Sequence, residues 1–194
     1  MRVAYSAVIL AGGRGSRVGG VAKPLIEVGG RSMLQAALAA ADGAEEIVVV
    51  GDVPVPPGVR QIVEDPPRSG PAAAVAAGVA VLTRQVPWIL VLAGDLPGAD
   101  AAVPPLLDAA AADTVSDGVC FHDADGHPQW MLALYRSEPL RRVIADQETT
   151  DLPLKRLVAP LTLSTISGDA AAISDCDTWE EIEAARAAYA EGES

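Results

Sequence analysis

Short apolar runs recur along this chain, and longer alanine-rich stretches separate them. Residues 5–10 (YSAVIL), 46–50 (EIVVV) and 88–92 (WILVL) carry almost no polar positions. Such runs predict strands buried on both faces, as at the centre of a parallel sheet. Weaker strand patterns cover 59–64, 118–122, 130–135 and 161–167, and residues 123–127 read as a turn. Helical spacing covers 32–41, 72–82, 104–112, 138–145, 152–157 and 178–189. The helix at 72 follows Gly70-Pro71, in keeping with the tolerance of proline in a first turn. The last helix has Thr178 as its N-cap and Glu181 three residues on, the spacing of a capping box. Pro54, Pro56 and Pro57 force an exposed connection after the second strand.

Strands alternating with helices predict a three-layer α/β domain around a mostly parallel sheet. Length agrees: 194 residues suit one domain with a real core. No repeat or low-complexity linker divides the chain, so a single domain is expected over 1–190, with 191–194 as a frayed tail. Half of the residues are hydrophobic but only 4% are aromatic, so alanine and valine must fill the core by close helix–sheet packing.

Charge and cysteine content narrow the function. A net charge of −12 disfavours nucleic acid as a partner. No apolar run is long enough to span a membrane, and no signal-peptide pattern opens the chain, so a soluble cytoplasmic protein is expected. Cys120 and Cys176 are 56 residues apart without a metal-ligand pattern, which predicts a reduced, buried pair.

The chemistry concentrates at 8–24, VILAGGRGSRVGGVAKP. A β-branched run empties into a loop with five glycines, two arginines and Lys23. Backbone without Cβ approaches a ligand closely, and N–H groups and cations at a strand end suit polyphosphate. The spacing matches neither a P-loop nor a dinucleotide fingerprint. Arg17 and Lys23 are therefore candidates to neutralise a triphosphate and hold the departing pyrophosphate.

Asp95 follows the apolar run 88–92 and the small residues Ala93-Gly94, at a strand end where open α/β sheets bind ligands. Its carboxylate is a candidate Mg²⁺ ligand; the alternative is a turn residue capping the next helix. Asp177 is the candidate second metal ligand and Asp175 its competitor, although both also suit a helix start. The stiff turn 64–71 precedes a small-residue helix against which a flat purine could lie. His122 and His127 flank an acidic turn with no nucleophile nearby, which argues against a histidine base.

Leu10-Ala11-Gly12-Gly13, Arg17, Gly19 and Lys23 together resemble the opening signature of the molybdenum cofactor guanylyltransferases and their nucleotidyltransferase relatives. The likeness continues in Glu64-Asp65-Pro66-Pro67, Gly70-Pro71, Ala93-Gly94-Asp95-Leu96-Pro97 and Gly126-His127-Pro128-Gln129-Trp130, and closes in Asp175-Cys176-Asp177-Thr178. The resemblance implies a Rossmann-like α/β/α sandwich. It implies GTP-binding roles for Leu10, Gly12, Gly13 and Lys23, with Asp95 binding both nucleotide and Mg²⁺; Ala11, Asp65 and Gly70 are further candidates for the nucleotide site, and Asp177 stays the candidate second metal ligand. The implied reaction joins GMP from GTP to the terminal phosphate of Mo-molybdopterin and releases pyrophosphate. Gln129 and Arg136 would then face the pterin. Ala72-Ala73-Ala74 departs from the Leu-Ala-Gly common there and leaves guanine or cytosine open. CTP, another phosphorylated acceptor, or nucleotide binding without turnover are the competing readings. Whether a second protein delivers the pterin stays open as well.

Overall fold

A computed structural model describes residues 3–12, 17, 18, 21–168, 173, 174 and 176–192. In chain order the elements are β1 (Tyr5–Leu10), β2 (Arg17–Val18), β3 (Val21–Ala22), β4 (Glu27–Val28), β5 (Arg31–Ser32), α1 (Met33–Ala40), β6 (Ile47–Val50) and β7 (Arg60–Ile62). They continue as α2 (Pro71–Val81), β8 (Trp88–Ala93), α3 (Ala99–Ala112), β9 (Gly118–His122), β10 (Pro128–Arg136), α4 (Ser137–Ala145), α5 (Leu154–Val158), β11 (Leu163–Ser167) and α6 (Trp179–Gly192).

Seven strands form one sheet in the order β11-β9-β10-β8-β1-β6-β7. Only β10 runs against its neighbours. β1 pairs in parallel on both sides, Leu10 facing Val50 of β6 and Ala93 of β8. Every residue of β1 and β8 is buried. Side chains alternate between the faces of a strand, and the core divides accordingly. Tyr5, Ala7 and Ile9 pack with Leu34 of α1 and Leu106 of α3 on one face. Val8 and Leu10 pack with Val75 of α2, Leu140 of α4 and Leu157 of α5 on the other. This is the three-layer α/β arrangement with a mostly parallel sheet that the apolar runs predict.

Local signals mark most boundaries. Ser32 caps α1 by accepting the Gln35 N–H at 3.1 Å, and the Gln35 side chain returns to the Ser32 N–H at 2.8 Å. The third helix departs from expectation, beginning at Ala99 with Pro104 and Pro105 inside it. Both prolines are exposed, while Val103 and Leu106 face the core. The carbonyls that lose their donors belong to Asp100 and Ala101, which are also exposed, so solvent replaces the missing bonds. The hairpins β2–β3 and β4–β5 have two-residue strands, too short to show a period. α6 runs through Gly192, into the expected tail. Cys120 and Cys176 are both buried, and burial pushes the Cys120 thiol up to about 11. No helix among the described residues is long and apolar enough to cross a membrane.

Gly78 sets the distance between α2 and the sheet, because a Cβ there would lie 2.4 Å from Val8 Cγ1. Val8 is fully buried and β-branched, with little freedom to turn aside. Gly78→Ala is therefore expected to destabilise the protein by about 1–2 kcal/mol in urea unfolding, even though alanine is the better helix former by about 1 kcal/mol.

Candidate functional site

Parallel strands discharge their loops at one edge of the sheet. After β1 the chain returns to β6 on one side, and after β8 it leads toward β9 and β10 on the other. The edge between β1 and β8 is thus a topological switch point. The Ala11 N–H donates to Val50 O and the Gly94 N–H to Leu10 O, both at 2.8 Å, which ties the two departing loops to the sheet. Gly51 lets the first loop pass: its φ is +148°, and a Cβ would come within 2.7 Å of the Ala11 and Gly12 backbone.

A cleft of about 580 Å³ opens at this edge. Leu10, Ala11, Gly12, Lys23, Gly70 and Asp95 all line it, and so does Asp177. Lys23 is only 5% exposed. It begins a single 3₁₀ turn, Lys23–Leu25, directly after the β2–β3 hairpin. Its Nζ donates to Asp177 Oδ1 and stands 4.0 Å from Asp95 Oδ2. Two carboxylates from distant parts of the chain therefore converge on one buried cation.

The C-terminal helix delivers Asp177. Glu181 accepts the N–H groups of Thr178 at 2.8 Å and Asp177 at 2.7 Å, and the Thr178 hydroxyl accepts the Glu181 N–H at 3.2 Å. The Thr178 and Asp177 N–H groups hold the Glu181 carboxyl below its usual value. α6 itself packs through Ile182 and Tyr189 on Ile26, Val28 and Met33, beside the lysine turn. Tyr189 Oη donates to Pro97 O at 2.5 Å, so the same helix also touches the loop that carries Asp95.

Other sequence candidates fall differently. Gly13 and Asp175 lie outside the described residues, as does the side chain of Arg17, whose backbone pairs with Ala22. Asp65 is exposed and absent from the cleft lining, where its buried neighbour Glu64 stands instead. Arg136 does not face the cleft. Its guanidinium stacks over Trp88 at 4.4 Å and donates to Ser116 O and Asp113 O, each at 2.8 Å. Arg136 pairs with Trp88 at the start of β8, the opposite end of the sheet from the cleft. Gln129 reaches only Asp123, at 3.5 Å. His127 is exposed, and His122 is engaged with Ser167 at 3.1 Å.

Met131 and Asp151 line the cleft without any motif to announce them, and Glu64 and Arg68 line it from the turn 64–71, where the sequence singled out neither as a site residue. Their nearest signal is backbone geometry: Arg68 (φ +66°) and Asp151 (φ +54°) are the non-glycine residues at positive φ among those described. The Asp151 N–H donates to Ser69 O at 2.7 Å, which joins these two loops.

Among the described lining residues, Glu64, Asp95, Asp151 and Asp177 outnumber Lys23 and Arg68. The cations that the sequence offers for polyphosphate are thus outnumbered by acids among these side chains. A second acidic group, Asp123, Asp125 and His127, sits apart in the exposed β9–β10 turn. There Asp123 Oδ1 already accepts the Asp125 and His127 N–H groups at 3.0 and 2.8 Å.

Sheet order, the switch-point cleft and the lysine between two aspartates define a nucleotidyltransferase fold. A family model, the MobA-like NTP transferase domain, matches residues 7–165, and the chain belongs to that family. No curated protein matches the sequence. Among solved structures, the chain is similar to a nucleotidyl transferase from Methanothermobacter thermautotroptrophicus, at 20% identity and TM-score 0.73 over 97% of this chain and 99% of that one. It is similar to molybdopterin-guanine dinucleotide biosynthesis protein A from Archaeoglobus fulgidus, at 16% identity and TM-score 0.67 over 96% and 99%. It also resembles the 2-C-methyl-D-erythritol 4-phosphate cytidylyltransferase of Thermus thermophilus, at 19% identity and TM-score 0.67 over 97% and 98%. At such identities these likenesses establish a shared fold.

Removing the amine would leave Asp95 and Asp177 facing each other without a shared cation. Lys23→Met should destabilise the protein by roughly 1–3 kcal/mol in urea unfolding, less than for a fully buried pair because Asp177 is largely exposed.

Proposed function

We propose that this protein is a guanylyltransferase that joins GMP from GTP to the terminal phosphate of Mo-molybdopterin and releases pyrophosphate. Family membership supports nucleotidyl transfer. The convergence of Asp95 and Asp177 on the Lys23 amine carries the reading. GTP and the pterin acceptor come from the sequence resemblance.

The donor set fits a magnesium ion. Two carboxylates that share one lysine offer hard oxygen ligands, and among the described lining residues acids outnumber bases, which favours added positive charge beside a triphosphate. Asp95 and Asp177 would hold the ion, which when bound supplies charge neutralisation at the α-phosphate. Lys23 neutralises phosphate oxygens, and its burial excludes the water that would weaken that contact. Gly12 and Gly13 let the loop after β1 approach the phosphates, and Gly70 borders the base. Arg17 steadies the departing pyrophosphate. An acceptor phosphate is already ionised at neutral pH, so the residues need only align and neutralise. His122 and His127 accordingly have no part in the reaction.

Pyrophosphate release from GTP in the presence of Mg²⁺ and a molybdopterin source tests the proposal, with CTP as the alternative donor. Asp95→Asn should lower kcat/KM by about 10²–10³ with folding intact by circular dichroism. Undiminished turnover in that variant would remove the metal from Asp95, and turnover with CTP alone would replace guanylyl transfer by cytidylyl transfer.

A further inference from the structure

We infer that Glu64 reads the nucleotide base and selects guanine, an assignment that rests on the nucleotidyltransferase reading of the cleft. Glu64 is 6% exposed and is the buried acid among the described residues, yet it lines the open cleft. Its Oε1 accepts the Arg68 N–H at 2.8 Å, and no described cation pairs with it. A glutamine would accept that N–H as well without burying a charge, so the loop alone gives no reason for a carboxylate here. Each carboxylate oxygen has two lone pairs, which leaves capacity for donors arriving from the cleft.

Position separates Glu64 from the phosphate end. Asp95 follows β8 and Glu64 follows β7, three places along the order β8-β1-β6-β7. At about 4.8 Å per strand, the two chain exits are about 14 Å apart. Phosphates held at Lys23 and Asp95 therefore direct the base away along the sheet, over the apolar side chains of Leu10, Val50 and Ala74 that also line the cleft. Glu64 stands at the far end of that track.

The chemistry then chooses among bases. Guanine presents N1–H and the N2 amino group side by side, two donors that match the two oxygens of one carboxylate and form charge-assisted bonds. Cytosine and adenine present one amino group beside an acceptor nitrogen, whose lone pair would oppose the second oxygen. Hypoxanthine keeps the N1–H and lacks the amine, so inosine triphosphate isolates the contact.

Calorimetric titration of the full chain with GTP, ITP and CTP in Mg²⁺ tests the assignment without relying on turnover. Wild type should bind GTP about tenfold or more tightly than ITP or CTP. Glu64→Gln should bring GTP and ITP within about threefold of each other, with the melting temperature unchanged because the glutamine oxygen still accepts the Arg68 N–H. A wild type indifferent between GTP and ITP would overturn the assignment even if the variant did not fold. A variant that keeps the wild-type preference would reduce Glu64 to an anchor of its loop. Tighter binding of CTP than GTP would overturn guanine selection and leave the nucleotidyltransferase reading standing. A wild type that binds no triphosphate would remove that reading, and this one with it.

Discussion

β1 is held by parallel partners on both sides, and the connections beyond its end and the end of β8 lead in opposite directions. The two exits are bridged by a backbone bond, Gly94 N–H to Leu10 O. A crevice there follows from topology before any particular side chain is considered. Four residues that give the cleft its chemistry follow the strands of this edge: Gly12 and Lys23 after β1, Glu64 after β7, Asp95 after β8. Small residues keep the edge open, since Gly51 leaves no room for a Cβ against the loop after β1 and a Cβ on Gly94 would crowd Leu10 O at 3.1 Å.

Electrostatics give this edge a definite polarity. Lys23 is buried, yet its charge is met by two carboxylates from distant parts of the chain. Burying an amine is tolerable only with such compensation. The C-terminal helix makes the arrangement durable, because its capping box orients the Asp177 backbone while Ile182 and Tyr189 press on the segment that follows Lys23. The last helix is thereby part of the phosphate end of the cleft, although its residues lie far from the glycine loop in sequence. At the other end a single buried carboxylate, Glu64, faces an apolar track. Lys23 with two acids at one end, and Glu64 beside Arg68 at the other, make the described lining asymmetric, as a nucleotide is.

Periodicity was informative where burial was symmetrical. The runs at 5–10, 46–50 and 88–92 became β1, β6 and β8, within one residue at each end. It was uninformative for two-residue strands such as β2 and β4, which have no period to read. A proline pair misplaced the start of α3, because proline is a helix breaker only where the carbonyl it strands cannot reach water. Within the site, Lys23, Asp95 and Asp177 were legible from residue type and local spacing. Glu64 and Asp65 are adjacent acids in an extended stretch, and no property of the sequence says which of two neighbours turns inward. The structure chose Glu64. The resemblance places Arg136 toward the pterin, but pairing with Trp88 carries it to the far end of the sheet.

The sequence by itself determined the layer architecture, the glycine-rich exit from the first strand and the acids able to meet a metal. These are local properties: apolar runs, small residues and charges at strand ends. The tertiary structure alone decided which groups share a space. It brought Asp177 across 154 positions to Lys23, joined the turn at Ser69 to Asp151, and buried Glu64 at a distance from Asp95 set by strand order. Such proximity depends on how crossovers stack strands side by side, and no short window of residues encodes that order.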